Sequence, residues 1–263
     1  IVYVAAQGPL WRSGGDRGVY MTGDGGESWT KILEISDDTG ISDLIVDSRD
    51  PDVMYAAAYQ RRRHVWTLLD GGPEAGIYKT TDGGESWNQL TNGLPFGDIG
   101  RIALAISPQN PDVVYSLVDA AEERGTYVST NAGASWSKRS DYVSGSPQYY
   151  QELITDPHQF DKLYSMDTFA QVSTDGGRNW EAVGEQHTHI DNLDLWIDPD
   201  ARRHPTNATD SALYASLASR STSTFFTHLP IPHDYTIAAA PYHPLSSLFA
   251  ATTHPASPRR TIP

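Results

Sequence analysis

Thr80-Thr81-Asp82-Gly83-Gly84-Glu85-Ser86-Trp87 leaves this chain few choices of fold, because it recurs. Thr22-Gly23-Asp24-Gly25-Gly26-Glu27-Ser28-Trp29 and Ser173-Thr174-Asp175-Gly176-Gly177-Arg178-Asn179-Trp180 have the same form. Ser129-Thr130-Asn131-Ala132-Gly133-Ala134-Ser135-Trp136 is a weaker copy, with Asn in place of Asp. Each position has a physical task. The Asp or Asn side chain accepts hydrogen bonds from backbone N–H groups a few residues on and tolerates turn conformations. Glycine two residues later supplies a positive φ. Ser or Thr hydroxyls close the loop. The Trp opens the next strand and is expected to bury its ring beside the turn. Short β-type runs precede the copies at 18–21, 76–79, 125–128 and 169–172. Each copy therefore predicts a strand, a tight turn and a strand, held by a clasp. On this reading Asp24, Trp29, Asp82, Trp87, Asn131, Trp136, Asp175 and Trp180 are structural.

The spacing of the copies sets the size of the repeating unit. Their tryptophans stand 58, 49 and 44 residues apart, close to the ~40–50 residues of a four-stranded propeller blade. A second marker lies between them: Asp47-Ser48-Arg49-Asp50-Pro51-Asp52, Ser107-Pro108-Gln109-Asn110-Pro111-Asp112 and Asp156-Pro157-His158-Gln159-Phe160-Asp161. These are polar, Pro-bearing turns between apolar strands. The second unit then has strands over 41–47, 53–59, 76–80 and 87–90. The third has 100–106, 113–118, 125–129 and 136–139, and the fourth has 149–155, 162–166, 169–173 and 180–183. A fifth opens at 189–197, and the first lacks its innermost strand.

The expectation is an all-β chain, a β-propeller of four-stranded antiparallel blades. Residues 1–204 supply blades one to four and the start of the fifth. Residues 205–263 turn to Ser, Thr, Ala, Pro and His, without Trp. They read as a divergent or degenerate continuation, with a third strand of unit five over 209–214 and two strands of unit six over 236–240 and 248–252. Five to six blades do not obviously close a ring. The count implies a fragment of a larger propeller, or a ring completed by other segments or chains. Asn207-Ala208-Thr209 has the form of a glycosylation sequon.

Charge and composition narrow the partners. The net charge of −14 argues against nucleic acid and anionic membrane surfaces. No apolar run approaches the ~20 residues of a membrane span. Without cysteine there is no disulfide framework and no thiolate chemistry.

The four boxes resemble the Asp-box of the BNR repeat, found in β-propellers such as sialidases, sortilin-type domains and some polysaccharide-cleaving enzymes. Three further segments carry a narrower resemblance: Ala5-Ala6-Gln7-Gly8-Pro9-Leu10-Trp11, Tyr59-Gln60-Arg61-Arg62-Arg63-His64-Val65-Trp66, and Ser140-Asp141-Tyr142-Val143-Ser144-Gly145-Ser146-Pro147-Gln148-Tyr149-Tyr150. They are similar to segments of large exported bacterial proteins labelled BNR-repeat, sortilin-like or "glycosyl hydrolase". The match covers residues 1–200 well and 205–260 faintly. It implies export to the periplasm or beyond, and that this chain is the N-terminal part of a long propeller. It also implies that the boxes and Pro-bearing turns share one face, while the second-to-third-strand loops and blade linkers share the other. Ligand sites in such repeats gather on that second face.

The second face is expected to collect Arg61, Arg62, Arg63, His64 and Trp66, from a long loop that starts at Gln60 and ends near Glu74. Tyr149, Tyr150 and His189 join them as candidate binding residues. These supply fixed positive charge, aromatic surface and a titratable group. Asp167, Asp191 and Asp194 are candidates for catalysis, since a glycosidase needs two carboxylates flanking the scissile bond. A sialidase is disfavoured because the Arg-Ile-Pro lead motif of that family is absent. His187, His189, Asp191 and Asp194 alternate along a strand as metal ligands would. A hydrogen-bonded polar rim also explains them, so no metal and no cofactor is expected. Three functions stay open: a binding or assembly module for a protein, peptide or glycan, a glycoside hydrolase acting on a polysaccharide, and a structural subunit of a larger complex.

Overall fold

The computed structural model describes residues 1–183, 190–200 and 205–209. Beyond these it describes the backbone of the strands from Leu213 onward. Among the described residues every regular element is a β-strand, and all strand pairs are antiparallel. The first sheet is β1 (Val2–Gln7), β2 (Arg17–Thr22) and β3 (Thr30–Leu33). The second contains β4 (Thr39–Val46), β5 (Met54–His64), β6 (Thr67–Asp70), β7 (Gly76–Thr80) and β8 (Asn88–Leu90). Its order is β4-β5-β7-β8, with β6 paired to the far end of β5. The third is β9 (Ile99–Ile106), β10 (Val114–Ala120), β11 (Gly125–Ser129) and β12 (Ser137–Ser140). The fourth is β13 (Glu152–Thr155), β14 (Leu163–Met166), β15 (Gln171–Ser173) and β16 (Glu181–Ala182). The fifth is β17 (Asn192–Ile197), β18 (Pro205–Thr209), β19 (Leu213–Ala218) and β20 (Thr222–Phe225). The sixth is β21 (Asp234–Tyr242), β22 (Leu245–Thr252) and β23 (Arg260–Thr261).

The leading strands β4, β9, β13, β17 and β21 contact one another in succession, which stacks the sheets as propeller blades around a common axis. β1 packs on β4 as β5 packs on β9, so β1 occupies the second position of its blade. The cores lie between blades. Met54 to Tyr59 of β5 are all buried, and alternate side chains face opposite neighbours. Ala56 and Ala58 pack with Val19, Leu33 and Ile41 of the first two sheets. Tyr55 and Ala57 pack with Ile102, Leu104 and Val118 of the third. Three alanines in a row allow blades to approach closely on both sides.

The clasp is the same in all four boxes. The Thr22 hydroxyl donates to Asp24 Oδ1 (2.7 Å) and accepts from Gly26 N–H (3.0 Å), while the Ser28 N–H and hydroxyl donate to Asp24 at 3.0 and 2.5 Å. Thr80, Asp82, Gly84 and Ser86 repeat these bonds at 2.6, 3.0, 2.9 and 2.5 Å. In the third box Asn131 Oδ1 accepts as the carboxylate does, and its Nδ2 donates to Ser135 Oγ at 2.9 Å. In the fourth, Asn179 Nδ2 takes the place of the serine hydroxyl and donates to Asp175 at 2.7 Å. The Ser28 and Ser86 side-chain hydrogen bonds lead in holding the Asp24 and Asp82 carboxyls below the usual carboxylate range, Asp82 down to about 2. Each later box turn also bonds the Pro-bearing turn of its own blade: Gly83 N–H to Asp52 O, Ala132 N–H to Asp112 O, and Gly176 N–H to Asp161 O. That puts both turn types on one face.

Four expectations are corrected. The box tryptophans end just before their strands, and their burial differs. Trp136 is 6% exposed within the core between the second and third sheets. Trp87 and Trp180 are half-buried against the cores shared with the preceding blade. Trp29 is 44% exposed, because among the described residues no sheet precedes the first to receive it. The run from Gln60 is strand rather than loop: β5 continues to His64 and turns back through Val65 and Trp66 into β6. Tyr149 and Tyr150 precede β13 in a turn. In the fifth sheet the third strand is Leu213–Ala218 rather than 209–214, because 205–209 is already the second strand.

Candidate functional site

One face carries the ends opposite the box turns. The Arg63 N–H donates to Leu10 O (2.8 Å), tying the β5–β6 hairpin to the loop after β1. Arg62 Nη1 donates to Ser13 Oγ (2.8 Å) and lies 3.6 Å from Asp38 Oδ1. Arg63 Nη2 reaches across to the Tyr149 hydroxyl (2.8 Å), 86 positions away in sequence. His64 stacks on Trp66 with centroids 5.4 Å apart, and Arg61 lies over the Tyr59 ring. Tyr149 and Tyr150 are tilted neighbours at 6.2 Å. The hairpin tip stands out of the protein: Val65 is 90% exposed and Trp66 82%, with Trp11 and Tyr149 also exposed.

Contacts continue from Tyr150 toward the fifth blade. The Ser144 hydroxyl donates to Tyr150 O, and Gly145 N–H donates to Asp167 Oδ2 (2.7 Å). Asp167 Oδ1 accepts from Thr168 N–H (2.7 Å), and its carbonyl accepts from Asn192 N–H (2.9 Å). Asp191 has a positive φ of 67° and donates its N–H to Thr168 O, a turn conformation that Asp tolerates. Asp167 and Asp191 thus shape turns between blades. Asp194 lies on β17, with Oδ1 accepting from Leu195 N–H. His187 and His189 lie outside the described residues. Asn207 of the sequon lies in β18, its Nδ2 donating to Asn192 Oδ1 (2.6 Å), beside fully buried Ala208 and Thr209. That strand position does not present the amide to a glycosylating enzyme.

The inner strands hold a charged chain that the sequence reading missed. Arg101 on β9 is 8% exposed. Its guanidinium donates to Glu152 Oε1 (2.5 Å) on β13, and to the Tyr149 and Pro147 carbonyls at 3.1 and 3.4 Å. Asp43 on β4 accepts from Leu104 N–H (2.8 Å). Burial pushes the Glu152 carboxyl up; Arg101 opposes this, and Asp43 and Asp194 add to it. Burial likewise pushes Asp43 up, against the Leu104 hydrogen bond and Arg101. The available signal was one charged residue interrupting each apolar inner strand: Ser42-Asp43-Leu44, Gly100-Arg101-Ile102 and Gln151-Glu152-Leu153.

Comparisons agree with this architecture. The Sortilin-Vps10 family model (sortilin, neurotensin receptor 3) matches residues 17–159, and the BNR/Asp-box repeat model matches 171–182. A search of the curated proteins returned no match. Among solved structures, an ancestral GH74 enzyme is similar at TM-score 0.63 and 15% identity, over 95% of this chain and 35% of that one. The GH74 enzyme of Niastella koreensis is similar at 0.62 and 15%, over 95% and 43%. A chain of the nidogen–laminin complex is similar at 0.60 and 13%, over 94% and 88%. This chain therefore spans less than half the length of each of the two GH74 enzymes.

Proposed function

The chain belongs to the Sortilin-Vps10 family, and from that premise we propose that it is a non-catalytic recognition module of an exported protein. It binds a protein or peptide partner on the face opposite the box turns. The observation that carries this reading is the Arg63–Tyr149 hydrogen bond together with the Arg62–Ser13 bond. These bonds join segments of the first, second and fourth blades into one platform. Trp11, Trp66 and Tyr149 stand exposed on it, and aromatic anchors with arginine are what protein recognition favours. Arg12, Arg61 and Arg63 have no carboxylate partner among the described residues. In a chain of net charge −14, three arginines gathered on one hairpin and the loop beside it support a role for them. The nidogen–laminin neighbour is itself part of a protein complex.

The test is selection from a phage-displayed peptide library on the purified chain. Enriched peptides are expected to bind the wild type and to lose at least tenfold in affinity on the Trp66→Ala, Arg63→Glu double variant, with its melting temperature unchanged. Equal binding by that variant, or no enrichment at all, would overturn the reading.

A second reading has one observation behind it. Asp43 and Glu152 lie on the inner strands either side of β9 and its Arg101, with carboxyls raised by desolvation, a property a general acid needs. On that reading Asp194 shares their field, and the chain contributes to hydrolysis of a polysaccharide. Reducing-sugar release from xyloglucan or β-glucan, absent in Glu152→Gln, is its test.

A further inference from the structure

The β5–β6 hairpin leaves one edge unpaired, and its hydrogen-bond phase can be worked out. Gly71 N–H donates to Gln60 O, so those two residues form a hydrogen-bonded pair. Bonded pairs alternate along antiparallel strands. The register sets Arg62 opposite Leu69 and Arg63 opposite Leu68. Leu69 therefore turns its backbone groups toward β5, while Leu68 and Asp70 turn theirs outward. The other strand confirms the phase: Arg63, opposite Leu68, sends its N–H away from β6 to Leu10 O. β6 pairs with β5 alone, and the outward N–H and C=O of Leu68 and Asp70 have no partner among the described residues. β6 has no proline, no lysine and no bulge; of the usual protections of an exposed strand it has only its four-residue length and the charge of Asp70.

The edge borders a cleft of about 560 Å³. Its far wall comes from Asp98, Gly100 and Asp119, at the ends of β9 and β10. The polar groups in it are strongly one-sided. Asp70, Asp98 and Asp119 all line it and form no ion pair among the described residues. Asp119 is raised by burial and then by the charge of Asp70, with Arg124 opposing; no lysine or arginine lines the cleft itself. Gln60 Oε1, on the same wall, is buried without a donor. Against these acceptors stand the Tyr59 hydroxyl, which donates to Asp70 Oδ1, and the two outward N–H groups. Asp98, Asp119 and the second Asp70 oxygen face the cleft without a cation among its lining residues. No group of three or more His, Asp or Glu among the described residues has the geometry of a metal site. The complement is therefore a donor-rich organic cation on an extended backbone, which is an arginine side chain on a strand.

We propose that an extended, arginine-bearing segment of a partner protein adds to β6 as a further strand, its guanidinium seated between Asp70, Asp98 and Asp119. Backbone pairing at Leu68 and Asp70 supplies up to four hydrogen bonds, and the carboxylates select the side chain. The proposal rests on the reading of this face as the recognition face and names the class of segment that it takes. Basic partner sequence is also drawn toward the acidic chain at long range.

The probe is an octapeptide of alternating Arg and Val, titrated by isothermal calorimetry at low salt. It is expected to bind, and its Glu–Val counterpart to bind at least tenfold more weakly. Methylating the alternate amides that face β6 should cost at least tenfold, as should Leu68→Pro, which removes only an outward N–H at an edge that tolerates proline. Asp119→Asn should weaken binding severalfold. The methylated peptide tests the idea on an unaltered protein, should Leu68→Pro fail to fold. Equal affinity for the Arg–Val and Glu–Val peptides overturns the proposal, as does insensitivity to amide methylation. If library-selected peptides bind Leu68→Pro normally but fail on the Trp66→Ala, Arg63→Glu variant, the platform stands and the cleft proposal falls. The reverse pattern separates the two the other way.

Discussion

Replacing Trp136 by Ala removes the best-buried of the box tryptophans. Its ring is 6% exposed and sits in the core between the second and third sheets. A tryptophan buries on the order of 200 Å², which at roughly 25 cal/mol per Å² corresponds to ~5 kcal/mol. Partial compactness of the unfolded chain makes that an upper figure, and comparable aromatic deletions cost ~3–5 kcal/mol. One effect opposes the loss. Trp136 Nε1 is buried without an acceptor, and removing an unsatisfied donor recovers on the order of 1 kcal/mol. The expected net loss for Trp136→Ala is ~3–4 kcal/mol. Trp136→Phe keeps most of the ring and removes the donor, so it should stay within ~1 kcal/mol of wild type. Trp29, at 44% exposed, should lose roughly half as much on replacement by Ala, ~2 kcal/mol. Urea titrations followed by far-UV circular dichroism give the midpoint and slope for each variant. Equal losses at positions 136 and 29, or under ~1 kcal/mol for Trp136→Ala, would refute the argument that packing against the preceding blade sets the value of each box.

Asp82→Ala leaves the Ser86 N–H and both clasp hydroxyls without their acceptor, and should lower the melting temperature while leaving ligand affinity unchanged. The Asp82 carboxyl is held down to about 2 from 3.8, so its stabilising contribution is present above pH 3.8 and lost as the pH falls through 2. An acid titration of the variant should lack that component. Glu152 behaves oppositely: its carboxyl is pushed up to about 7 from 4.5, so its contribution is full below pH 4.5 and lost as the pH rises through 7. Glu152→Gln should therefore show a flatter fall of melting temperature across that window, and an unchanged slope would count against the raised Glu152 carboxyl. Asp167→Ala strips acceptors from the Gly145 and Thr168 N–H groups at a site only 9% exposed. A loss of ~1–3 kcal/mol in urea is expected.

The clasps were legible because every bond in them falls within seven residues. Thr80, Asp82, Gly84 and Ser86 find one another whatever surrounds them. The Pro-bearing turns and most strand positions followed for the same reason, since period-two patterning and turn chemistry are local. The hairpin at Val65 and Trp66 was not legible. It lacks the Gly or Asn of the usual two-residue turn, and neither residue has a positive φ. It is held from outside, by Leu10 and Tyr149. The burial of each box tryptophan was likewise undecided by its motif. Trp29 and Trp136 end similar octapeptides, yet among the described residues only Trp136 of the two meets the sheet of a preceding blade. The Asp43–Arg101–Glu152 chain and the Asp70–Asp98–Asp119 cleft each draw one residue from well-separated segments. A charged residue in an apolar strand is visible in sequence, but its partner is not. The angle and spacing at which whole blades pack around the axis set which segments meet, and that depends on the fit of entire sheet faces. The local pattern thus determined what each hairpin is, and the packing of blades decided what the hairpins together present.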